Sequence, residues 1–195
     1  MTGIICVSGR FDMKVRVPLN RASRLLNHGP TVLVTSFYKG RPNVQTVAWN
    51  MPLDYAPPKV ALVIGSDNYS YECITKTGEF VINIPSQKLL EKTVQCGTIS
   101  GRKVDKFKKF KLTPIPAKKV KAPLIKECIG HLECRLIKSR VTKDFDLFLA
   151  DVVYAWAEEG TFTDRWLIEK EKAKTIHHLG GEYFTFPGKI KIRKW

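Results

Sequence analysis

Residues 96–107 contain the groups best suited to binding an anion. Gly97 and Gly101 flank hydroxyl residues, and a basic cluster follows them. Glycines allow backbone N–H groups to converge on a negatively charged group. Lys106 would neutralise a phosphate as a compact point charge, and Ser100 would donate a hydrogen bond to it. The spacing matches neither a Walker loop nor a dinucleotide-binding fingerprint, so the pattern alone favours a basic surface loop with a helix cap.

Residues 43–50 form a second candidate for ligand binding. The range 30–38 is predicted to be a strand, Gly40 supplies a turn, and pairing is expected to resume after Pro42. On the returning strand each face mixes polar and apolar side chains, several of them small. Such a surface lets a flat ligand lie against the backbone, with Thr46 and Asn50 as hydrogen-bonding groups. The alternative, which this stretch alone favours, is an ordinary edge hairpin with one solvated face.

The elements that position these groups are mostly short strands. Further strands are predicted over 13–17, 60–65, 80–84, 125–138, 147–156, 176–179 and 183–186. A bulge is expected near Gly130. Helices are predicted over 21–26, over 69–77 with Gly78 as the stop, and over 86–96 with Gly97 at the C-terminal end. The prolines at 52, 57 and 58 mark a loop. The pattern predicts a mainly β protein, a β-barrel with a few helices, in one domain spanning 1–195.

The net charge of +15 makes nucleic acid a partner to consider, because 33 Lys and Arg face 18 Asp and Glu. The basic residues are densest at 102–121 and 189–195. Phe107 and Phe110 lie among lysines, a pattern weakly similar to that of single-strand binders. No nucleic-acid-binding motif accompanies them, so we expect the two rings to anchor a helical turn to the core. Nucleic-acid binding by a basic β-barrel is retained as an alternative function.

Cysteine usage and hydropathy indicate a cytoplasmic protein. The five cysteines are scattered and have no zinc-ligand spacing, which favours buried free thiols in a reducing compartment and predicts no metal site. The short apolar run at 4–7 lacks a preceding basic region, which argues against a signal peptide. No apolar run approaches the ~20 residues of a membrane span, so no membrane association is expected.

Several motifs occur in a fixed order along most of the chain. They are Asn43-x-x-Thr46-x-Ala48-Trp49, Gly78-Glu79-Phe80-Val81-Ile82-Asn83-Ile84-Pro85, Ser100-Gly101-x-x-x-Asp105-Lys106-Phe107, Ala122-Pro123-Leu124-Ile125, Glu127-Cys128, Leu132-Glu133-Cys134, and His178-x-Gly180-Gly181 with Tyr183. In this order and spacing the sequence resembles the flavin reductase-like family, particularly its flavoredoxin branch, over roughly residues 18–186.

The resemblance implies an FMN-binding split β-barrel that acts as an oxidoreductase or electron-transfer flavoprotein, with FAD less favoured than FMN. The flavin would perform the chemistry, so no catalytic side chain is required. Residues 43–50 would line the flavin ring, and the turn at 66–70 and the loop at 100–107 would hold the ribityl chain and the phosphate. The implied cofactor-binding residues are Asn43, Thr46, Val47, Ala48, Trp49, Asn50, Ser66, Ser70, Ser100, Gly101, Asp105, Lys106 and Phe107.

Family members are typically homodimers with the flavin near the subunit interface, so the resemblance implies a homodimer in which His178 and Tyr183 reach a flavin across that interface. A redox partner protein is a further candidate. His177 and His178 are adjacent on a predicted strand, so at most one of them faces the site.

One departure from the family pattern concerns the electron donor. Related NAD(P)H-dependent flavin reductases often carry Asp-His before the strand corresponding to 147–152, where this sequence has Phe145. The substitution puts reduction by NADH or NADPH in question, and an NAD(P)H-dependent FMN reductase is therefore the alternative within this class. Phe145 would either stack on a ring or fill the core.

Overall fold

The computed structural model describes Leu25 and residues 29–193, and antiparallel strands dominate it. The strands in chain order are β1 (Val32–Tyr38), β2 (Arg41–Val47), β3 (Asn50–Tyr55), β4 (Pro58–Val63), β5 (Glu79–Ile84), β6 (Pro114–Ile115), β7 (Leu124–Ile125), β8 (Gly130–Ile137), β9 (Leu147–Ala157), β10 (His177–Gly180) and β11 (Tyr183–Thr185). The helices are α1 (Tyr69–Thr77), α2 (Leu90–Thr98), α3 (Lys106–Lys109) and α4 (Arg140–Phe145), with 3-10 turns at Gln87–Leu89 and Glu171–Ala173.

Seven strands form one sheet in the order β2-β1-β5-β8-β9-β4-β3. The strands at its two edges, β2 and β3, are joined by only Ala48 and Trp49. Both edges must therefore meet at this corner, where the Val63 N–H donates to the Trp49 carbonyl at 2.9 Å. The Asn50 side chain also donates to the Pro30 carbonyl at 2.8 Å. The sheet consequently curls into an incompletely closed barrel, which confirms the predicted split β-barrel.

The alternation of side chains along the strands creates two apolar layers. The layer inside the curl contains Val34, Leu62, Phe80 and Phe148 among its buried members. On the other face of the sheet, Leu33 and Val44 pack against α2, α3 and the chain that follows them. Phe107 and Phe110 are buried in this second layer, at 4% and 8% exposure. They therefore anchor the lysine-rich turn to the core, as predicted.

Several predicted elements require correction. The prediction of a loop marked by the prolines at 52, 57 and 58 is wrong at Pro52, because strand β3 occupies residues 50–55. An edge strand tolerates Pro52, since the N–H groups on its outer side need no partner. Ser86 makes no side-chain cap, and Gly97 lies inside α2 rather than at its end. The β8–β9 irregularity lies between Glu133 and Cys134, not near Gly130. The elements predicted over 13–17 and 21–26 fall outside the described residues, Leu25 excepted.

The buried carboxylate of Glu133 holds the backbone at Lys118 and Lys119 against the outer face of the sheet. Glu133 is fully buried on β8 and accepts hydrogen bonds from the Lys118 N–H at 2.9 Å, the Lys119 N–H at 2.5 Å and the Trp156 Nε1 at 2.7 Å. Burial alone would raise the pKa of Glu133, but these donors outweigh it and hold the pKa below its usual value. The ionised form therefore stabilises the fold, and that stabilisation is lost as the pH falls through the lowered pKa.

Glu133→Gln is expected to reduce the free energy of unfolding by about 1–3 kcal/mol, because an amide replaces an acceptor that serves three donors. Urea denaturation near neutral pH measures the loss, with Glu182→Gln on the exposed surface as the matched control. Equal stability of the two variants would contradict the role given to Glu133.

Candidate functional site

A polar pocket of about 210 Å³ lies between the start of α1, the end of α2 and the loop before α3. Its lining residues come from four separate parts of the chain, and β2 supplies the floor. They are Asn43, Gln45, Asn68, Tyr69, Ser70, Cys96, Gly97, Thr98, Ile99, Ser100, Gly101 and Lys106. Five of the predicted cofactor-binding residues are thus brought together: Asn43, Ser70, Ser100, Gly101 and Lys106.

Lys106 places a buried cation in this pocket. It is 5% exposed, and its Nζ donates to the Cys96 carbonyl at 2.7 Å. Within residues 29–193 no carboxylate forms an ion pair with it. Desolvation by burial lowers the pKa of Lys106, partly opposed by the Cys96 thiol. An ammonium group has three donors, so two remain for an anionic ligand, whose charge would offset the cost of burial.

The first turn of α3 holds Lys106 in place. The Asp105 carboxylate caps this turn by accepting from the Lys108 N–H at 3.1 Å. The next residue, Phe107, is buried against the sheet. Asp105 and Phe107 therefore act on the pocket through the backbone and do not line it.

Asn43 links β2 to the two other walls of the pocket. Its Nδ2 donates to the Ser70 Oγ at 2.8 Å. Its Oδ1 lies where a side chain at Gly101 would be, only 1.9 Å from the position of an added Cβ. The Arg41 guanidinium donates to the Gly101 carbonyl at 3.0 Å, which fixes the loop from the other side. Gly101 is thus required for close approach of the loop to β2.

The N-terminal end of α1 lies at the same pocket. Asn68, Tyr69 and Ser70 line it, and no side chain caps the first turn. The unpaired N–H groups and the dipole of a helix N-terminus favour an anion. Together with the Lys106 ammonium and the surrounding hydroxyl and amide groups, this donor set fits a phosphate monoester. The pocket is predominantly polar, so it suits the phosphate end of a flavin nucleotide.

Other predicted cofactor-binding residues lie away from this pocket. The Thr46 hydroxyl donates to the Thr93 carbonyl at 2.5 Å, and the Asn50 amide donates to Pro30, so the donor groups of both side chains are engaged by the protein. Val47 is in the core. Ala48 and Trp49 form the link between β2 and β3, with Trp49 exposed. Contact between residues 46–50 and a flavin ring stays a prediction.

Ser66 is exposed, and its N–H donates to the Asp146 carboxylate at 3.2 Å. It does not line the pocket. Gln45 does, although it was not among the predicted site residues. Its position two residues after Asn43 places it on the same face of β2, and this period of two is the signal that would have identified it.

The residues expected on the donor side are also separate from the pocket. Phe145 ends α4 and is 71% exposed, so of its two predicted roles, stacking on a ring or filling the core, the second is wrong. His178 and Tyr183 lie on the β10–β11 hairpin, where the His178 Nε2 contacts the Gly181 carbonyl at 2.9 Å. Tyr183 is exposed. The neighbouring His177 contacts the Thr175 hydroxyl through its own Nε2 at 3.0 Å.

The four cysteines of the described chain, Cys73, Cys96, Cys128 and Cys134, are buried and free. Burial raises the pKa of the Cys96 thiol to about 11, which leaves it protonated near neutral pH. Among residues 29–193 no group of three His, Cys, Asp or Glu side chains is placed to hold a metal ion. No helix in the same part of the chain is long and apolar enough to cross a membrane.

The curled sheet and the pocket define a split-barrel protein with a polar pocket that contains a buried lysine. Residues 24–177 match the flavin reductase like domain, and the chain belongs to this family. It is 37% identical to the uncharacterised protein YddH of Escherichia coli K12 over 90% of this chain and 95% of that protein.

Two solved structures share the fold. The FMN-binding domain of a flavin reductases-like enzyme from Shewanella baltica superposes with a TM-score of 0.82 at 32% identity, covering 91% of this chain and 96% of that one. The flavoredoxin of Desulfovibrio vulgaris (Miyazaki F) superposes with a TM-score of 0.78 at 26% identity, covering 85% and 90%.

Proposed function

We propose that this protein binds FMN and acts as an electron-transfer oxidoreductase of the flavoredoxin type. The observation that carries the proposal is the Lys106 ammonium, which is buried beside a polar pocket and has no carboxylate partner in residues 29–193. The similarity to an FMN-binding domain and to a flavoredoxin supports the same assignment. A bound flavin supplies hydride or single-electron chemistry, and the protein supplies binding and orientation.

In this proposal the residues of the pocket have distinct tasks. Lys106 and the N-terminus of α1 bind the phosphate, and Ser70 and Ser100 offer hydroxyl groups. Asn43 holds Ser70, and Gly101 lets the loop approach β2. No side chain is required to exchange a proton or to act as a nucleophile.

Titration of the apo-protein with FMN, riboflavin and FAD tests the cofactor. We expect FMN to bind at least about tenfold more tightly than riboflavin, because only FMN places a terminal phosphate against Lys106. Equal affinities would reject the phosphate pocket, and the absence of binding by any flavin would reject the function.

The proposal for the electron donor rests on Phe145, which stands where related NAD(P)H-dependent flavin reductases often carry a histidine. Hydride transfer requires the donor carbon to be held about 3–3.5 Å from the acceptor atom. A phenyl ring offers no hydrogen bond that could fix a nicotinamide there. We therefore propose that NADH and NADPH are poor donors, and that the chain is not primarily an NAD(P)H-dependent FMN reductase.

Anaerobic stopped-flow bleaching of the flavin is expected to be slow with NADH or NADPH and rapid with dithionite. Phe145→His is expected to accelerate the reaction with the nicotinamides, whereas Phe162→His, at another partly exposed phenylalanine, is not. Rapid bleaching of the wild type by either nicotinamide would favour the flavin reductase alternative instead.

We also propose a homodimer. Trp49, Met51, Leu53 and Tyr55 lie on edge strand β3 and its approach, and all four are exposed, with an irregularity between Pro52 and Asp54 that interrupts their alternation. An exposed apolar row on an edge strand favours association with a second copy. Light scattering should give about twice the chain mass of 22.2 kDa.

Met51→Lys/Leu53→Lys should give the monomer mass, because two charges would then be buried without partners. Val94→Lys on α2 is the control and should remain dimeric. A wild-type monomer that still binds FMN would contradict a shared flavin site.

A further inference from the structure

The most basic segment of the chain lies next to the proposed phosphate pocket. Residues 102–121 contain nine Lys and Arg and a single carboxylate, that of Asp105. Arg102 is paired with Glu72, and Lys106 is buried. Seven further lysines in the segment have exposed side chains and form no ion pair within residues 29–193: Lys103, Lys108, Lys109, Lys111, Lys118, Lys119 and Lys121. We call these seven residues the basic face.

The fold places the whole segment on one side of the sheet. Its first part is anchored by Phe107 and Phe110, which pack with Leu33 of β1. Its second part is anchored by Val120, which packs with Val81 of β5. Leu33 and Val81 point to the same face, because Thr35 lies two residues after Leu33 on β1 and is directly opposite Val81 in the β1–β5 register. The lysines therefore add to one field instead of being spread around the molecule.

We propose that the basic face is the docking surface for a small acidic protein that carries electrons to or from this protein. The inference rests on the proposed electron-transfer function. Unpaired like charges on one surface repel one another, and an acidic partner would remove that repulsion while steering the encounter. Lys103 lies in the loop that supplies Ser100 and Gly101 to the pocket, so docking brings the partner to the flavin-binding side.

The chemistry of the face favours a protein over a nucleic acid. Single-strand binders interleave basic groups with exposed aromatic rings on which bases stack. Here Phe107 and Phe110 are buried, and Lys118 lies over the Tyr154 ring at 4.5 Å. All seven cations are lysines, which are hydrated point charges, whereas bidentate and stacked contacts with bases and phosphates favour arginine. Lysines suit a transient electrostatic contact with surface carboxylates.

Binding of a fluorescently labelled plant-type [2Fe–2S] ferredoxin, used as the acidic probe, tests the proposal. The wild-type protein should bind it at about 0.01 M salt and much more weakly at about 0.15 M, since the Debye length falls from about 30 to about 8 Å. Lys108→Glu/Lys109→Glu should weaken binding by about tenfold or more at low salt. Lys189→Glu/Lys191→Glu, which makes the same change of net charge at exposed positions outside the face, should weaken it by less than about threefold.

Each contrary result has a definite meaning. No ferredoxin binding at low salt overturns the proposal, and equal losses in the two double variants assign the effect to net charge alone and overturn it too. Tighter binding of a single-stranded oligonucleotide, measured in parallel, would replace the protein partner with nucleic acid. The FMN content of every variant is measured separately, so a failure of the cofactor proposal is distinguished from a failure of docking.

Discussion

Lys106→Met is expected to weaken FMN binding by about tenfold to a hundredfold, the 1.5–3 kcal/mol of a hydrogen bond to a charged group, and to leave riboflavin binding nearly unchanged. The physical reason is that, in the proposed binding mode, the ammonium would contact the flavin only through its phosphate. Within residues 29–193 the buried Lys106 ammonium makes one hydrogen bond, to the Cys96 carbonyl, and Lys106 lines the pocket, so two donors remain for a ligand. Isothermal titration with the two flavins measures both affinities.

The matched control is Lys92→Met. Lys92 lies on α2 and donates to the Lys111 carbonyl at 2.8 Å, close to the same region but outside the pocket lining. It should retain FMN affinity within about twofold, since its charge is solvated. Equal losses for FMN and riboflavin in Lys106→Met would show that the lysine maintains the shape of the pocket and does not bind the phosphate.

The same substitution should stabilise the apo-protein, because it removes a buried ammonium without a counter-charge. Burial lowers the pKa of Lys106 from its ordinary 10.5, so between the lowered pKa and 10.5 the unfolded chain binds more protons than the folded one. The wild type therefore gains stability as the pH rises through this window. The advantage of Lys106→Met should be largest below the lowered pKa and should shrink towards pH 10.5, as measured by thermal unfolding of both apo-proteins.

Gly101→Ala should reduce both FMN binding and stability. The new Cβ would lie 1.9 Å from the Asn43 Oδ1, and Asn43 is buried and held by Ser70. Either Asn43 gives up its hydrogen bond or the loop moves away from β2, at a cost of about 1–3 kcal/mol. Both responses disturb the proposed phosphate-binding groups, and FMN affinity should fall by about tenfold or more.

Two further variants separate the causes of this loss. Gly188→Ala is the control, since a Cβ there meets no atom within 4 Å. Gly101→Ala/Asn43→Ala removes the clash, so it should recover stability relative to Gly101→Ala but not FMN affinity. A Gly101→Ala protein with wild-type melting temperature and affinity would show that the loop does not depend on close approach to β2.

Local sequence signals predicted the elements whose ends are chemically marked. Helix α1 ends at Gly78, which adopts φ of 70°, and the buried strand β5 follows directly. The prediction failed where the neighbouring strand decides the outcome. The prolines predict a loop where β3 forms, because prolines usually end strands, but an edge position leaves the missing N–H of Pro52 without consequence.

The candidate site was also predicted only in part, because local patterns identify residue types and not their burial. The resemblance and the glycine-hydroxyl-lysine pattern led to Ser100, Gly101 and Lys106, which line one pocket. The pattern did not predict that Lys106 is almost fully buried, because burial depends on α2 and β2, which are distant in sequence. The sequence does not decide whether Phe145 lies at the surface or in the core, because a phenylalanine that ends a helix at the surface has the same local pattern as one that fills a core.

The two-residue link between β2 and β3 restricts how the barrel can move. Three Cα–Cα steps of 3.8 Å join Val47 to Asn50, so these two atoms can never lie more than about 11 Å apart. At this corner the two edges of the sheet are tethered by covalent bonds. At the other ends of the same strands, Arg41 and Tyr55 have no such tether between them. The covalent link therefore limits separation of the two edges most strongly at Ala48 and Trp49, whereas at the Arg41 end of β2 the chain is held by the hydrogen bond to the Gly101 carbonyl.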